Sequence, residues 1–511
     1  MDRPALRRLT RLPLYLRCVA LLLPLMGLWS LATPLGAAPD EAAQVIAAAA
    51  IVRGQVLPDE VHTPIGPQAQ VTVPAWAAAT PGLPACYAFH PDVDASCTPT
   101  LTTSTEGTQT VTQFTRYPPP YYAITGVATV LLSGTHALWL ARAITVLLAA
   151  LLVGLGLEML LRWHPRRSAA LIGAAIALPP MTIFLSGAVS PSALEVTSAF
   201  ATVCGLLCLV DGPSPPSRGL CARLAVGAVA LAWSRPLSPL FLAVFVVAAA
   251  LLKGRRGTVE LLRAVPRWFL AIPIAAVIAA FGWLLAAGPP HLIGNRPPHQ
   301  PLSGELRTTL TRTGMMLREQ IGIFGWLDTP APLLTVVLWA LALGGLLCAG
   351  ALVASSRREV AAWALPLGVM LLLPTIFEAP RLNDVGVFWQ GRYSLPVSLA
   401  VPLIVATRPR VADAIDGARG RAVTLVAGVW GAGQIAAFLE TWHRYSSGFG
   451  GPWLPLHPAW QPPGGYLTVL LLCVGVAVVA GVGARVARSA TDRDAGSMHG
   501  TVPGAQRQEA R

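Results

Sequence analysis

LYLRCVALLLPLMGLWSLATPLGAAPDE, residues 14–41, is the stretch on which the reading of the chain turns. Its apolar part, 14–37, is long enough to cross the ~30 Å hydrocarbon core of a bilayer as a helix. Arg3, Arg7, Arg8, Arg11 and Arg17 stand at its head, and the acidic pair Asp40-Glu41 follows its end. A cleaved secretory signal competes with this reading, because basic residues, an apolar run and the small-residue string LGAA before Pro39 fit one. The run is long for a signal, so an uncleaved first crossing is expected. Removing it would leave the remaining topology unchanged.

The pattern recurs along the chain. Further crossings are expected at 137–161, 168–189, 192–211, 224–234, 237–252, 268–288, 332–354, 360–377, 393–407, 422–438 and 466–484, about twelve in all with the first. Ser234-Arg235-Pro236 interrupts what would otherwise be one long apolar run, so 224–252 reads as a broken or hairpin-like pair. The 511 residues are 54% hydrophobic and 12% charged, with a mean hydropathy of +0.59, so water is not the main solvent. The fold class is an all-α polytopic membrane protein.

The net charge of +13 does not point to nucleic acid, because the arginines come in short clusters between apolar runs. Such clusters stay on the cytoplasmic side. Arg162/Arg166/Arg167, Arg218/Arg223, Lys253/Arg255/Arg256/Arg263/Arg267, Arg357/Arg358, Arg408/Arg410/Arg419/Arg421 and Arg485/Arg488/Arg493 all fall where an alternating path returns inside. Both termini are then cytoplasmic. The expected organisation is a basic N-terminus (1–13), a transmembrane domain (14–486) and a disordered tail (487–511). Lys253 is the only lysine, and richness in Ala, Arg and Pro suggests a GC-rich bacterial genome.

The first outer loop, 39–136, opens with a helix over 40–53 expected to lie on the membrane surface. Its middle, 58–112, reads as aperiodic loop, and 116–134 as a second surface helix. The loop 289–331 contains ELRTTLTRTGMMLREQ, with apolar residues at helical spacing among arginines, and reads as an amphipathic helix. Six of eight cysteines lie in or beside apolar runs and read as structural. Cys86 and Cys97 lie in the outer loop, where a disulfide would contribute about 3 kcal/mol through loop closure; two free thiols are the alternative.

Chemistry concentrates at the outer boundary. Asp40-Glu41 can act as a general base or cation ligand, or simply cap the helix that follows. Arg116, Arg235, Arg381 and Arg392 fall near the same level, where a guanidinium can grip a lipid phosphate through two parallel hydrogen bonds. Arg235 stands out because a charge among apolar residues costs about 2.5 to 3.5 kcal/mol and needs a partner or an escape to the interface. The outer-loop tryptophans read as an aromatic belt, with sugar stacking open to one or two of them. No cofactor is implied: the histidines lack metal-ligand spacing, nothing supports a divalent metal, and there is no phosphate loop, dinucleotide fingerprint or nucleophile elbow.

PDE with its following helix and RG (39–54), RYPPPYY (116–122), AR (141–142), IGIFGWLDTPAP (321–332) and WQGRYSLP (389–396) together resemble the bacterial membrane-protein family called domain of unknown function twenty-one forty-two. The resemblance spans roughly 25–465. That family is similar to the GT-C superfamily of membrane glycosyltransferases, including the aminoarabinose and protein-mannosyl transferases. The resemblance implies a GT-C-like bundle with interfacial helices, a polyprenyl-phosphate sugar as donor and a cell-envelope glycan or other hydroxyl as acceptor. It implies Asp40, with Glu41 second, as the catalytic carboxylate that takes the acceptor's proton, and Arg116, Arg235 and Arg392 as phosphate ligands. Two departures stand out: Arg116-Tyr117 replaces the Lys that often precedes Pro-Pro, and Gln44 takes the place of a common His. Two other functions compete. A lipid-linked glycan flippase would suit the helix number and the broken 224–252 pair, although no internal repeat is visible. A non-catalytic scaffold of the same fold would suit Gln44.

Overall fold

A computed structural model describes residues 12–499 apart from Arg419 and Leu454, with backbone alone from 490. The expected N-terminal segment therefore lies outside the described residues up to position 11. Among the described residues, nine helices are long and apolar enough to cross a membrane, or up to eleven if each of two bent pairs is one span. This corrects the expected dozen. The shortfall falls on 224–234, which belongs to a fifteen-residue helix, Arg218–Ala232. At 1.5 Å per residue it reaches only about 22 Å.

The bends have a chemical cause. The expected span 168–189 is two helices, Arg167–Ala177 and Pro180–Ser186, set 70° apart. Pro179 and Pro180 lack N–H groups and push the preceding residue out of helical conformation, so the helix cannot run through them. The second bend, 69°, separates Gly391–Ala406 from Pro409–Gly417. At the other expected break, Arg218–Ala232 gives way to Ser238–Ala264 across Ser234-Arg235-Pro236, with the Ser238 N–H donating to the Arg235 carbonyl at 3.1 Å.

Burial sorts the helices. Pro191–Asp211 is central, with 94% of its apolar stretch buried inside the protein, whereas Arg267–Ala287, with 11%, faces outward. Since an outward-facing helix is as apolar as a buried one, the medium around it must be lipid.

The loop 39–136 departs most from expectation. Residues 58–112 are not aperiodic: Glu60–Thr63, Gly66–Pro74 and Gly107–Thr112 form an antiparallel sheet with the Gly66–Pro74 strand in the centre. In that strand Ala69, Val71 and Val73 point inward between exposed Gln70 and Thr72, the period-two alternation of a half-buried strand. Val71 and Val73 pack on Val45, Ile46 and Ala49 of the helix Glu41–Ile51. That helix is therefore not a surface helix: all of it except Ala43 is buried, because the sheet covers one side and the helix Pro119–Gly126 the other. Gly126 permits the approach, since a Cβ there would sit 2.4 Å from the Ala48 carbonyl oxygen. Beyond Tyr121 and Tyr122, which are buried, this second segment leaves Ile124, Val127, Val130 and Leu131 exposed as an apolar rim.

Cys86 and Cys97 are joined by a disulfide. The segment expected as one amphipathic helix is two, Leu302–Thr311 and Thr313–Gly322. At the C-terminus the helix Tyr466–His499 continues through residues expected to be disordered; 500–511 lie outside the described residues.

Candidate functional site

Asp40 immediately precedes the Glu41–Ile51 helix with φ 64°, in the left-handed region that aspartate tolerates better than most residues. This backbone turns its carboxylate away from the helix N-terminus, and it makes no capping hydrogen bond. Instead it forms an ion pair with Arg392, which also donates to the Pro39 carbonyl at 3.1 Å. The side chain of Asp40 remains 23% accessible.

Glu41 points the other way. It is buried and takes two charge-assisted bonds from Arg142, at 2.7 and 2.6 Å, and two from the backbone N–H groups of Gly36 and Val189, at 2.9 and 3.0 Å. Arg142 uses its remaining donors on the carbonyls of Ser30, Thr33 and Pro34. Glu41 is thus saturated and is not part of the cavity that Asp40 lines.

Arg235 does not escape to the interface. It is buried at 9% exposure and paired with Glu195 at 3.2 Å, while Ser238 donates to the other Glu195 oxygen at 2.7 Å. The Arg235 guanidinium lies 4.4 Å from the Tyr393 ring centroid and 5.6 Å from that of Tyr117. Both rings hold the cation by their negative faces. Glu195 was missed from sequence although an acid inside the apolar run 192–211 is itself a signal, since such a charge needs a partner.

Asp40, Glu195, Arg235 and Tyr117 line one cavity of about 380 Å³ together with His291, Arg381 and Gln390. Gln113 and Tyr393 add polar groups, and the rest of its wall is largely apolar and proline-rich, including Phe114, Leu237, Phe241, Leu292, Ile293 and Phe388. Three residues of this wall carry buried side-chain atoms without a protein partner: Arg235 Nε, His291 Nδ1 and Gln390 Oε1. Buried polar groups are normally paired, so such a group in a cavity wall marks where a ligand or water completes the set. Arg381 donates to the Phe377 carbonyl at 3.0 Å and has no carboxylate partner among the described residues.

Arg116 sits at the rim. It pairs with Glu60 at 2.5 Å and donates to the Pro289 carbonyl at 2.9 Å. Glu60 also meets His291 Nε2 at 3.1 Å. The hydrogen bond from His291 holds the Glu60 carboxyl below the usual range, with Arg116 adding to it. Burial pushes the His291 imidazole down, against the pull of Glu60. A neutral His291 that donates through Nε2 to the carboxylate leaves Nδ1 as an acceptor toward the cavity.

The loop carrying Arg392 is held rigidly. Glu378 accepts the N–H groups of Phe388 and Trp389, both at 2.7 Å, and pairs with Arg312 at 2.8 Å. Glu319 accepts the Gly391 N–H. Gly391 is required, because a Cβ there would lie 2.2 Å from the Met316 carbonyl oxygen. The WQGRYSLP string is thereby explained as a fixed mount for Arg392. FGWLDTP makes a second mount: Asp328 binds Arg444 at 3.2 Å and the Phe89 N–H at 3.0 Å, tying the disulfide loop to the helix Arg421–Ser447.

Of the residues singled out from sequence, Asp40, Arg235 and Arg392 converge, Arg116 stands at the rim and Glu41 is directed elsewhere. No curated protein matches this chain. Residues 23–401, which carry all five of these positions, match the family described as "Predicted membrane protein (DUF2142)", and the chain belongs to that family.

Proposed function

We propose that this protein is a membrane glycosyltransferase of GT-C type, moving a sugar from a polyprenyl-phosphate donor to an acceptor hydroxyl on the extracytoplasmic face of a bacterial plasma membrane. The observation that carries the reading is the two-sided cavity: an apolar wall suited to a prenyl chain meets a polar wall bearing Asp40, Arg235 and Arg381.

In the proposed reaction Asp40 takes the proton of the acceptor hydroxyl as its oxygen bonds to the sugar's anomeric carbon. The bond from that carbon to the phosphate oxygen breaks, and its electron pair leaves with the phosphate, so the configuration inverts. Arg235 and Arg392 would stabilise the developing anion, by the rule that fixed cations favour charge that grows in the transition state, and Arg381 would hold the donor phosphate in the ground state. Arg392 links the steps. It is paired with Asp40, so a donor phosphate that draws Arg392 toward itself releases the carboxylate to act as base.

Sidedness has its own support. The helix directions put Arg162, Arg166, Arg167, Arg218, Arg357, Arg358, Arg408 and Arg410 at helix ends opposite the cavity, as expected of cytoplasmic loops. The start of Leu14–Leu31 and the end of Tyr466–His499 lie at that same end.

The test is transfer from a radiolabelled polyprenyl-phosphate sugar by full-length protein in proteoliposomes. Asp40→Asn is expected to lose about 10²- to 10⁴-fold in rate, the usual contribution of a positioned base. Full activity of that variant overturns the mechanism. Donor crossing the bilayer without bond cleavage would favour a flippase, and failure to bind any such donor a scaffold.

A further inference from the structure

A second cavity runs along two of the same helices, from Pro239 near the first cavity to Lys253 at the far end of the bundle. It is about 490 Å³, within the ~300 to 1,000 Å³ typical of ligand sites. Its walls come from Pro191–Asp211, Arg218–Ala232, Ser238–Ala264 and Arg267–Ala287 and are apolar except for Thr202, Lys253 and Thr258. Val246, Ile274 and Ile278 on its lips are exposed, so it opens sideways into the surrounding lipid.

One end of this groove is built differently. At Gly254 the helix bends through a left-handed residue, φ 73°, and the following turns bring Thr258, Leu261 and Leu262 over the groove as a roof. The bend leaves Lys253, the sole lysine of the chain, in the groove wall with Nζ donating to the Val210 carbonyl at 2.8 Å. That bond uses one of three ammonium donors. The Arg358 guanidinium lies over Gly254, 2.5 Å from where a Cβ would sit, and makes no ion pair among the described residues. The nearby acids make no ion pair with either cation among the described residues: Asp211 is held by Arg408 at 2.6 Å and by His164 at 3.4 Å, Glu359 beside Arg358 accepts the Ser355 N–H at 2.9 Å, and Glu260 is the one acid on the bent segment.

An apolar slot open to lipid, with Lys253 in its wall and Arg358 over the adjoining Gly254, is complementary to an anionic lipid of the bilayer itself. We propose that the groove binds an anionic phospholipid, with an acyl chain between the helices and the phosphate on Lys253 and Arg358. The site is independent of the glycosyl-transfer reading. Its cations lie at the end away from Asp40, in the other leaflet, and its role is to hold the bent segment against the outward-facing helix Arg267–Ala287.

The experiment titrates full-length protein in mild detergent with dioleoyl phosphatidylglycerol and dioleoyl phosphatidylcholine, counting bound lipid by native mass spectrometry. Each cation near a membrane anion contributes about fivefold in affinity, so the first lipid is expected to be preferred and Lys253→Gln with Arg358→Gln to erase the preference. Ala250→Phe, which fills the groove, is expected to lower binding of both lipids while leaving their ratio intact. Arg485→Gln with Arg488→Gln, a basic pair elsewhere, is expected to change neither. Equal binding of the two lipids overturns the proposal, as does a preference that survives the Lys253/Arg358 change. Full competition by glycerophosphate, which has no chains, would equally overturn it.

Discussion

Asp40 and Glu41 are adjacent in sequence and opposite in use. Glu41 ends in a closed clamp, where four hydrogen bonds fill its oxygens and Arg142 has every donor spent. Asp40 ends in an open cavity whose wall keeps unbonded atoms on Arg235, His291 and Gln390. Both acids have buried arginines, so a buried ion pair by itself does not mark a functional site. What separates the two regions is what remains unsatisfied. The clamp fixes the first helix, the second crossing and the start of the outer loop together; the cavity is what that rigid frame holds open.

The clamp should break first and hardest. Arg142→Met leaves Glu41 buried without its cation and is expected to cost about 3–5 kcal/mol, read as a lower melting temperature of the full-length protein in detergent. Adding Glu41→Leu should recover part of the loss, because the uncompensated charge is gone. Unchanged stability in Arg142→Met would erase the distinction between the regions. The cavity should respond in the reverse manner. Asp40→Asn keeps an oxygen acceptor for Arg392, and Asp40 is 23% accessible, so melting is expected to fall less than in Arg142→Met, while transfer collapses.

The contrast also explains what could be read from sequence. Apolar length locates the expected crossings except 224–234, because a bilayer leaves few alternatives. It does not locate the bend at Pro179-Pro180, where a continuous apolar run hides a change of direction, whereas the bend before Pro409 falls at the end of the expected crossing 393–407. The sheet was missed because Ala69, Val71 and Val73 alternate within GPQAQVTVP, whose glycine and two prolines look like loop. Asp40, Arg235 and Arg392 were visible as charges at one depth. Their partners were less so: Glu195 is an acid in an apolar run, a readable signal, but Gln390 and His291 belong to the site only because distant loops fold together there.

A smaller effect should come from Arg381, the cavity cation without a carboxylate partner. Arg381→Gln is expected to raise KM for the lipid donor about tenfold with kcat little changed, the lower end of what a charged hydrogen bond contributes. A fall in kcat with KM unchanged would instead assign Arg381 to the transition state. Either result sharpens the contrast, since the clamp has no spare cation to lose.

The rim should show the mildest response, and its sign follows from the two shifts. Burial lowers His291, so below the ordinary histidine range, ~6.5, the unfolded chain binds a proton that the folded chain still refuses. Stability at the rim is therefore unaffected above that range and declines as pH falls through it. Glu60 acts in the same direction lower down: its lowered value adds stability above the ordinary carboxylate range and loses it as pH falls further. Hydrogen exchange at residues 57–63 and 289–293 should accordingly quicken as pH drops below about 6.5, after correction for the intrinsic pH dependence of exchange. His291→Gln should abolish the upper part of that response and leave the lower. The Glu41 clamp contains no histidine, so exchange at residues 41–51 should stay flat over the upper interval. A parallel change there would mean that rim and clamp open as one unit, and the division between an inert frame and a responsive cavity would fail.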